Sequence, residues 1–180
     1  MKKIYFLHGY QTSGKKFKCL QEFYKDSKEY LPINWEWDEF MDIPKFIENK
    51  IKILKEDTGE KILMADSMGG NLAWHIINQI PELQYVMTNP VFSAEQIVEQ
   101  EKILPEMRVK IFSATSQTIK NKNIRLIISL NDKVLDPEHY KKVFGEEISV
   151  LQLEDEHSII NMAQYMPLIH TIIQDAFIKK

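Results

Sequence analysis

The sequence predicts an α/β domain: a mostly parallel central sheet of about six strands, flanked by helices on both faces. Three observations predict it. Short apolar runs alternate with longer amphipathic segments, the pattern of β-α-β units. Several of those runs are apolar throughout, as strands covered on both faces are. With 180 residues, 44% hydrophobic and 27% charged, the chain is long enough for one sizeable core and short for a second full domain, so residues 1–180 are read as one domain.

The run IYFL (4–7) is the first strand. KKFKCLQEFYKDSKEY (15–30) follows, with apolar residues at mixed three- and four-residue spacing and lysines and glutamates elsewhere, which predicts an amphipathic surface helix punctuated by Pro32. INWEWDEF (33–40) places charges between its aromatics and suits an edge strand. IPKFIENKIKILKED (43–57) reads as a second surface helix, opened by Pro44 and closed by Gly59. ILMA (62–65), YVMT (85–88), IRLIISL (124–130) and ISVLQL (148–153) supply the remaining strands. EQIVEQEKIL (95–104) has a helical pattern, but MRVKIFSATSQTIKNKN has no clean period, so residues 91–123 are the candidate for a small cap or substrate loop. The stretch from Ser158 to Ile178 is helical, with Pro167 expected to kink or break it.

Charge and cysteine content exclude several function classes. A net charge of −3 with both signs interspersed offers no field for nucleic acid or anionic lipid. The single cysteine, Cys19, cannot form an internal disulfide, and no apolar run suits a signal peptide or membrane span; a cytoplasmic home is the expectation. The histidines form no H-E-x-x-H pattern and have no cysteine cluster beside them, so no metal is expected. His75, His139 and His170 read as surface or packing residues.

FLHGYQTSGKKF (6–17) admits two parses. As a phosphate cradle it runs Gly9, four residues, Gly14, Lys15, close to the P-loop pattern, with Asp66 at the end of KILMAD resembling the acidic metal-binding strand of nucleotide enzymes. Lys16 opposes that parse, because it puts a cation where a hydroxyl would ligate Mg²⁺. As an oxyanion loop the same stretch is an apolar strand ending in His8-Gly9, followed by a backbone N–H able to face a reacting carbonyl. His8 would shape the turn rather than transfer a proton.

The segment ADSMGGNLAWHI (65–76) favours the second parse. Ser67 lies between Ala65 and Gly69, and a sharp strand-to-helix turn needs small residues at both positions. Such a turn would expose Ser67 Oγ at a helix N-terminus, where N–H groups favour a developing oxyanion. Asp132 then ends IRLIISLND and His157 ends ISVLQLEDEH, both after strand-like runs. Serine, acid and histidine in that order, all at one carboxyl edge, is an arrangement for acyl transfer. Asp136 is the alternative acid; Asp132 is preferred for its place directly at a strand end. Glu154, Asp155 and Glu156 read as solvated loop charges.

With these residues in place, the chain resembles the α/β-hydrolase superfamily along its whole length and is most similar to the small YqiA-like esterases, through FLHGYQTSGKK, ADSMGG, LNDKVLD and EDEH in that order. The resemblance implies a minimal α/β-hydrolase fold with little or no lid and a serine ester hydrolase acting on short or medium acyl esters, sometimes thioesters. The departures are Ala65 in place of the first elbow glycine and Asn131 before the acid. The expected roles are Ser67 as nucleophile, His157 as base, Asp132 as its orienting acid, and the Tyr10 and Met68 backbone N–H groups as the oxyanion hole. Tyr10 and Phe92 are the expected substrate-pocket residues, with no cofactor and a small-molecule ester or thioester as the partner. A nucleotide-binding enzyme and a non-catalytic binding module on the same fold are the competing readings.

Overall fold

A computed structural model describes residues 1–12, 14–114, 119–121, 123–145 and 148–178. Its strands are β1 (Lys2–Leu7), β2 (Tyr30–Trp35), β3 (Lys61–Asp66), β4 (Gln84–Thr88), β5 (Ile124–Ser129) and β6 (Ser149–Leu153). They form one six-stranded sheet in the order β2-β1-β3-β4-β5-β6, and every neighbouring pair is parallel. The helices are α1 (Lys15–Phe23), α2 (Ile43–Glu56), α3 (Met68–Ile77), α4 (Pro105–Arg108), α5 (Tyr140–Phe144) and α6 (Met162–Phe177).

Strand alternation sorts the apolar runs onto two faces. Tyr5, Leu7, Leu63, Ala65, Tyr85 and Met87 join a core completed by α2, α3 and α5, while Ile4, Phe6, Ile62, Met64 and Val86 join one completed by α1 and α6. The α2 helix contributes Ile43, Ile47, Ile51 and Leu54, and α6 contributes Met162, Met166, Ile169, Ile173 and Ala176, each a stripe at three- and four-residue spacing. At the start of α2, the Asp42 carboxylate accepts the Lys45 N–H at 3.1 Å, with Pro44 in the first turn. Among the described residues no helix is long and apolar enough to cross a membrane.

Four elements differ from the sequence expectation. The first helix ends at Phe23, because the Ser27 hydroxyl accepts the Glu29 and Tyr30 N–H groups and turns the chain into β2. Pro32 therefore lies inside β2, where an edge strand tolerates a missing donor, and β2 ends at Trp35. The 95–104 segment forms two 3₁₀ turns, Ala94–Gln96 and Gln100–Lys102, in place of an α-helix. Pro167 does not break α6; it sits on the exposed face, where water can satisfy the carbonyl it leaves unpaired. Within 91–123, Val91, Phe92, Ile97, Ile103, Met107 and Ala114 are buried in the α2/α3 core, and residues 115–118 and 122 lie outside the described residues.

The amino edge of the sheet carries a pH-dependent tie. Asp57 accepts from Lys3 Nζ at 2.7 Å, Tyr5 hydroxyl at 2.7 Å and Gly59 N–H at 3.0 Å. Burial pushes this carboxyl up, but those three donors outweigh it and hold it at about 2, against an ordinary 3.8. A folded-state value below the unfolded one means the stabilisation is fully present above about pH 4 and is lost as pH falls toward about 2. Asp57→Asn is expected to flatten the acid-side fall in melting temperature across that window, measured by thermal unfolding.

Candidate active site

The sheet reverses its direction of growth beside β1, with β2 on one side and β3 on the other, so the exits of β1 and β3 border the crevice where such folds place ligands. Ser67 is the single residue between β3 and α3, with φ 49° and ψ −119°. A side-chain-bearing residue in that region costs on the order of 1–3 kcal/mol and needs its surroundings to impose it. They do so here. Ser67 N–H donates to Thr88 O at 2.9 Å, and Ser67 O accepts from Gly70 N–H at 2.9 Å and Val91 N–H at 3.0 Å.

Two glycines allow this turn to pack. A Cβ at Gly69 would lie 2.4 Å from Leu7 O and 2.5 Å from His8 O, and one at Gly70 would lie 2.5 Å from Pro90 Cβ. Helix α3 thus starts pressed against the exit of β1. Ala65 is fully buried on β3, where a methyl is accommodated in place of the glycine usual at this position. Gly69→Ala is expected to cost about 3 kcal/mol, the upper end for overpacking because backbone oxygens oppose the new methyl, as checked by chemical denaturation.

His157 leaves the loop after β6 and meets both of its partners. Its Nε2 lies 2.9 Å from Ser67 Oγ and its Nδ1 lies 2.7 Å from Asp132 Oδ2. The Asp132 side chain is 2% exposed and the His157 side chain 18%. A carboxylate only accepts, so Nδ1 carries the proton and Nε2 is left to accept from the Ser67 hydroxyl. Asp132 Oδ1 accepts the Val134 and Leu135 N–H groups at 2.8 and 2.9 Å, which holds the carboxylate plane in place. Asp136, the alternative acid, instead accepts the Glu138 N–H at 3.0 Å and stands 3.9 Å from Lys142 Nζ.

Met68 is the first residue of α3, so its N–H has no acceptor within the helix. Gly9 brings the β1 exit beside the same serine, because a Cβ there would lie 3.2 Å from Ser67 Cβ, and Tyr10 follows directly. His8 shapes this loop: its Nδ1 is 2.8 Å from Gly9 O, and its Nε2 accepts the Trp37 N–H at 3.2 Å.

Two sequence expectations are corrected here, those for Phe92 and Asp155. Phe92 is fully buried among Trp74, His139 and Phe144, so it is a core residue and does not line a pocket. Asp155 is not a solvated charge; it is buried and accepts the Glu156, Ile160 and Asn161 N–H groups at 2.7–3.0 Å, closing the turn that carries His157. Burial acts to raise its carboxyl, yet these backbone donors keep it below the usual range. His139 is a buried packing residue, its Nε2 3.0 Å from Ser93 Oγ, and His170 lies 2.6 Å from the Tyr24 hydroxyl. Asp66, the acid that the phosphate parse would place on a metal, is instead paired with Lys16 at 2.6 Å.

No family model matches the chain, and no curated protein sequence matches it. Solved structures do. The ydeN gene product from B. subtilis superposes with a TM-score of 0.71 at 12% identity, covering 99% of this chain and 100% of that one. The chain adopts the α/β-hydrolase fold. Est1E from Butyrivibrio proteoclasticus, solved with ferulic acid, gives a TM-score of 0.73 at 12% identity over 99% of this chain and 90% of that one. A pyrethroid hydrolase from Sphingobium faniae JZ-2 gives 0.70 at 14% identity over 97% of each chain.

Proposed function

We propose that this protein is a serine hydrolase of carboxylic esters, with Ser67 as nucleophile, His157 as general base and then acid, and Asp132 as the group that orients and stabilises the imidazolium. The observation that carries the reading is the hydrogen-bonded chain Ser67 Oγ, His157 Nε2, His157 Nδ1, Asp132 Oδ2, with distances of 2.9 and 2.7 Å, built on the strained turn of Ser67.

The reaction follows from those groups. His157 Nε2 takes the Ser67 proton as Oγ forms a bond to the ester carbonyl carbon, and the carbonyl electrons move onto oxygen. The Tyr10 and Met68 N–H groups receive that oxyanion. Collapse expels the alcohol, protonated by His157, and leaves an acyl-enzyme. A water deprotonated by His157 then releases the acid and restores Ser67. Hydrolysis by esterases and other hydrolases among the structural neighbours agrees with this chemistry.

The expected substrates are esters of short to medium acyl chains, with thioesters as a second group. Phe40, Leu104 and Val109 are exposed apolar side chains; the Tyr10 hydroxyl, just past the β1 exit, hydrogen-bonds the Leu104 backbone, and Lys110 Nζ donates to Glu39 O at 2.6 Å, joining the loops that carry Val109 and Phe40. That rim suits an apolar acyl group. The affiliation with small YqiA-like esterases rests on the four motifs alone. Turnover of p-nitrophenyl esters of increasing chain length tests the reading: hydrolysis that peaks at short or medium chains supports it, and no hydrolysis of any ester or thioester by the folded protein refutes it.

A further inference from the structure

Beneath the proposed serine site lies a charged network that the reaction itself does not use. Lys16, on α1, is 8% exposed, and its ammonium donates to Asp66 Oδ1 at 2.6 Å and to the backbone carbonyl of His157 at 2.9 Å. Asp66, 5% exposed, is the residue before Ser67, and its Oδ1 also accepts the Thr88 hydroxyl at 2.7 Å. The His157 carbonyl has a second donor: Asn89 Nδ2 at 2.9 Å, from a residue just past β4 with φ 42°. Asn89 is itself fixed by Ser129, donating to Ser129 Oγ at 2.9 Å and accepting from Ser129 N–H at 2.7 Å.

We propose that Lys16 is a positioning residue: one buried ammonium ties the residue before the nucleophile to the backbone of the residue that carries the base. This role rests on the reading of Ser67, His157 and Asp132 given above. The physical case is geometric. His157 stands in a loop between β6 and α6, and a ring on a loop holds a 2.9 Å contact to Ser67 Oγ only if its backbone is anchored. The two donors on its carbonyl come from two different elements, α1 and the end of β4, and the Lys16 donor reaches back to the strand that carries the serine. An ammonium with its partner carboxylate also cannot drift, since either charge alone would be buried without compensation.

A role in charge balance alone would make a different prediction. Removing both charges in Lys16→Met/Asp66→Asn relieves that penalty, and the neutral amide replacing the carboxylate can still accept from Thr88. The double substitution also deletes the Lys16 donor to the His157 carbonyl. The test compares wild type with this double variant and with Asn89→Gly, a substitution that suits the positive φ and leaves the Lys16–Asp66 pair intact. The measurements are kcat and KM on a p-nitrophenyl ester, the second-order rate of inactivation by a fluorophosphonate, and the melting temperature.

The expected result is a fall in kcat and in inactivation rate of about tenfold to a hundredfold in both variants, with KM within about twofold of wild type, the signature of a displaced reacting group. A folded double variant with wild-type kcat and inactivation rate overturns the positioning role and leaves Lys16 as the counter-ion of Asp66. Should the double variant fail to fold, Lys16→Gln/Asp66→Asn, in which both charges are removed and the side chain at 16 is one atom too short for the His157 carbonyl, decides in its place: unchanged kcat and inactivation rate overturn the positioning role, and a kcat loss at constant KM supports it. A wild type inert to both ester and fluorophosphonate overturns the reading of the serine site, and the positioning role with it.

Discussion

Ser67→Ala is expected to lower ester turnover by several orders of magnitude, on the order of 10⁴-fold or more, because in the proposed reaction its hydroxyl forms the covalent bond to the acyl carbon. The fold has reason to survive. Alanine meets the same backbone constraint as serine at φ 49°, and the hydrogen bonds that impose the turn come from the Ser67 main chain, not its hydroxyl. The variant should therefore unfold near the wild-type temperature while KM-level binding persists. Kinetics and thermal unfolding on the same preparation check both halves. Wild-type turnover by Ser67→Ala would remove the serine from the mechanism.

Asp132→Asn is expected to have the second largest effect, a fall in kcat of roughly 10⁴-fold with little loss of fold. The carboxylate makes two kinds of contact, and asparagine preserves one of them. Its carbonyl oxygen can still accept the Val134 and Leu135 N–H groups, which keeps the loop closed. Its amide then faces His157 Nδ1 as a donor, forces the proton to Nε2, and makes that nitrogen a donor where Ser67 needs an acceptor. Asp136→Asn, whose carboxylate caps the Glu138 turn away from His157, should retain wild-type kcat. Equal losses in the two variants would deny Asp132 its special role.

The inner strands were legible because parallel strands buried on both faces are apolar along most of their length, and each of the five apolar runs, including that of the half-exposed edge strand β6, matches a strand to within two residues at either end. The elbow was legible for a steric reason as well: Gly69 and Gly70 stand where a Cβ would meet backbone or ring atoms at 2.4–2.5 Å, so the pattern around Ser67 reports packing directly. Helix ends were less legible. The Ser27 hydroxyl redirected the chain before the apolar period of residues 15–30 ran out, and nothing in that period signals it. Around 95–104, apolar residues at helical spacing serve 3₁₀ turns whose chain is pulled into line with the 134–135 loop through Val98 N–H on Val134 O at 2.9 Å.

Charged residues were the hardest to place, since a lysine or aspartate in a loop reads as solvated by default. Lys16 and Asp155 both break that default. Lys16 is buried through long-range contacts with Asp66 and His157, separated from it by 50 and 141 residues, which no local pattern encodes. Asp155 is buried by neighbours only one to six residues away, and its place two residues before His157 in a short loop was the available signal. The near match of residues 9–15 to a phosphate loop has a plain physical origin: a glycine pair bracketing a turn between a strand and a helix, with Gly14 at φ 71° immediately before α1.

The most direct measurement of an activated serine is labelling by a fluorophosphonate, located by peptide mass spectrometry, in wild type and in His157→Ala. Stoichiometric label on Ser67 in wild type, lost or slowed by orders of magnitude in the folded His157 variant, is the expected result. Absence of label from folded wild-type protein, or label on Ser67 that is indifferent to His157, would contradict a serine activated by this histidine.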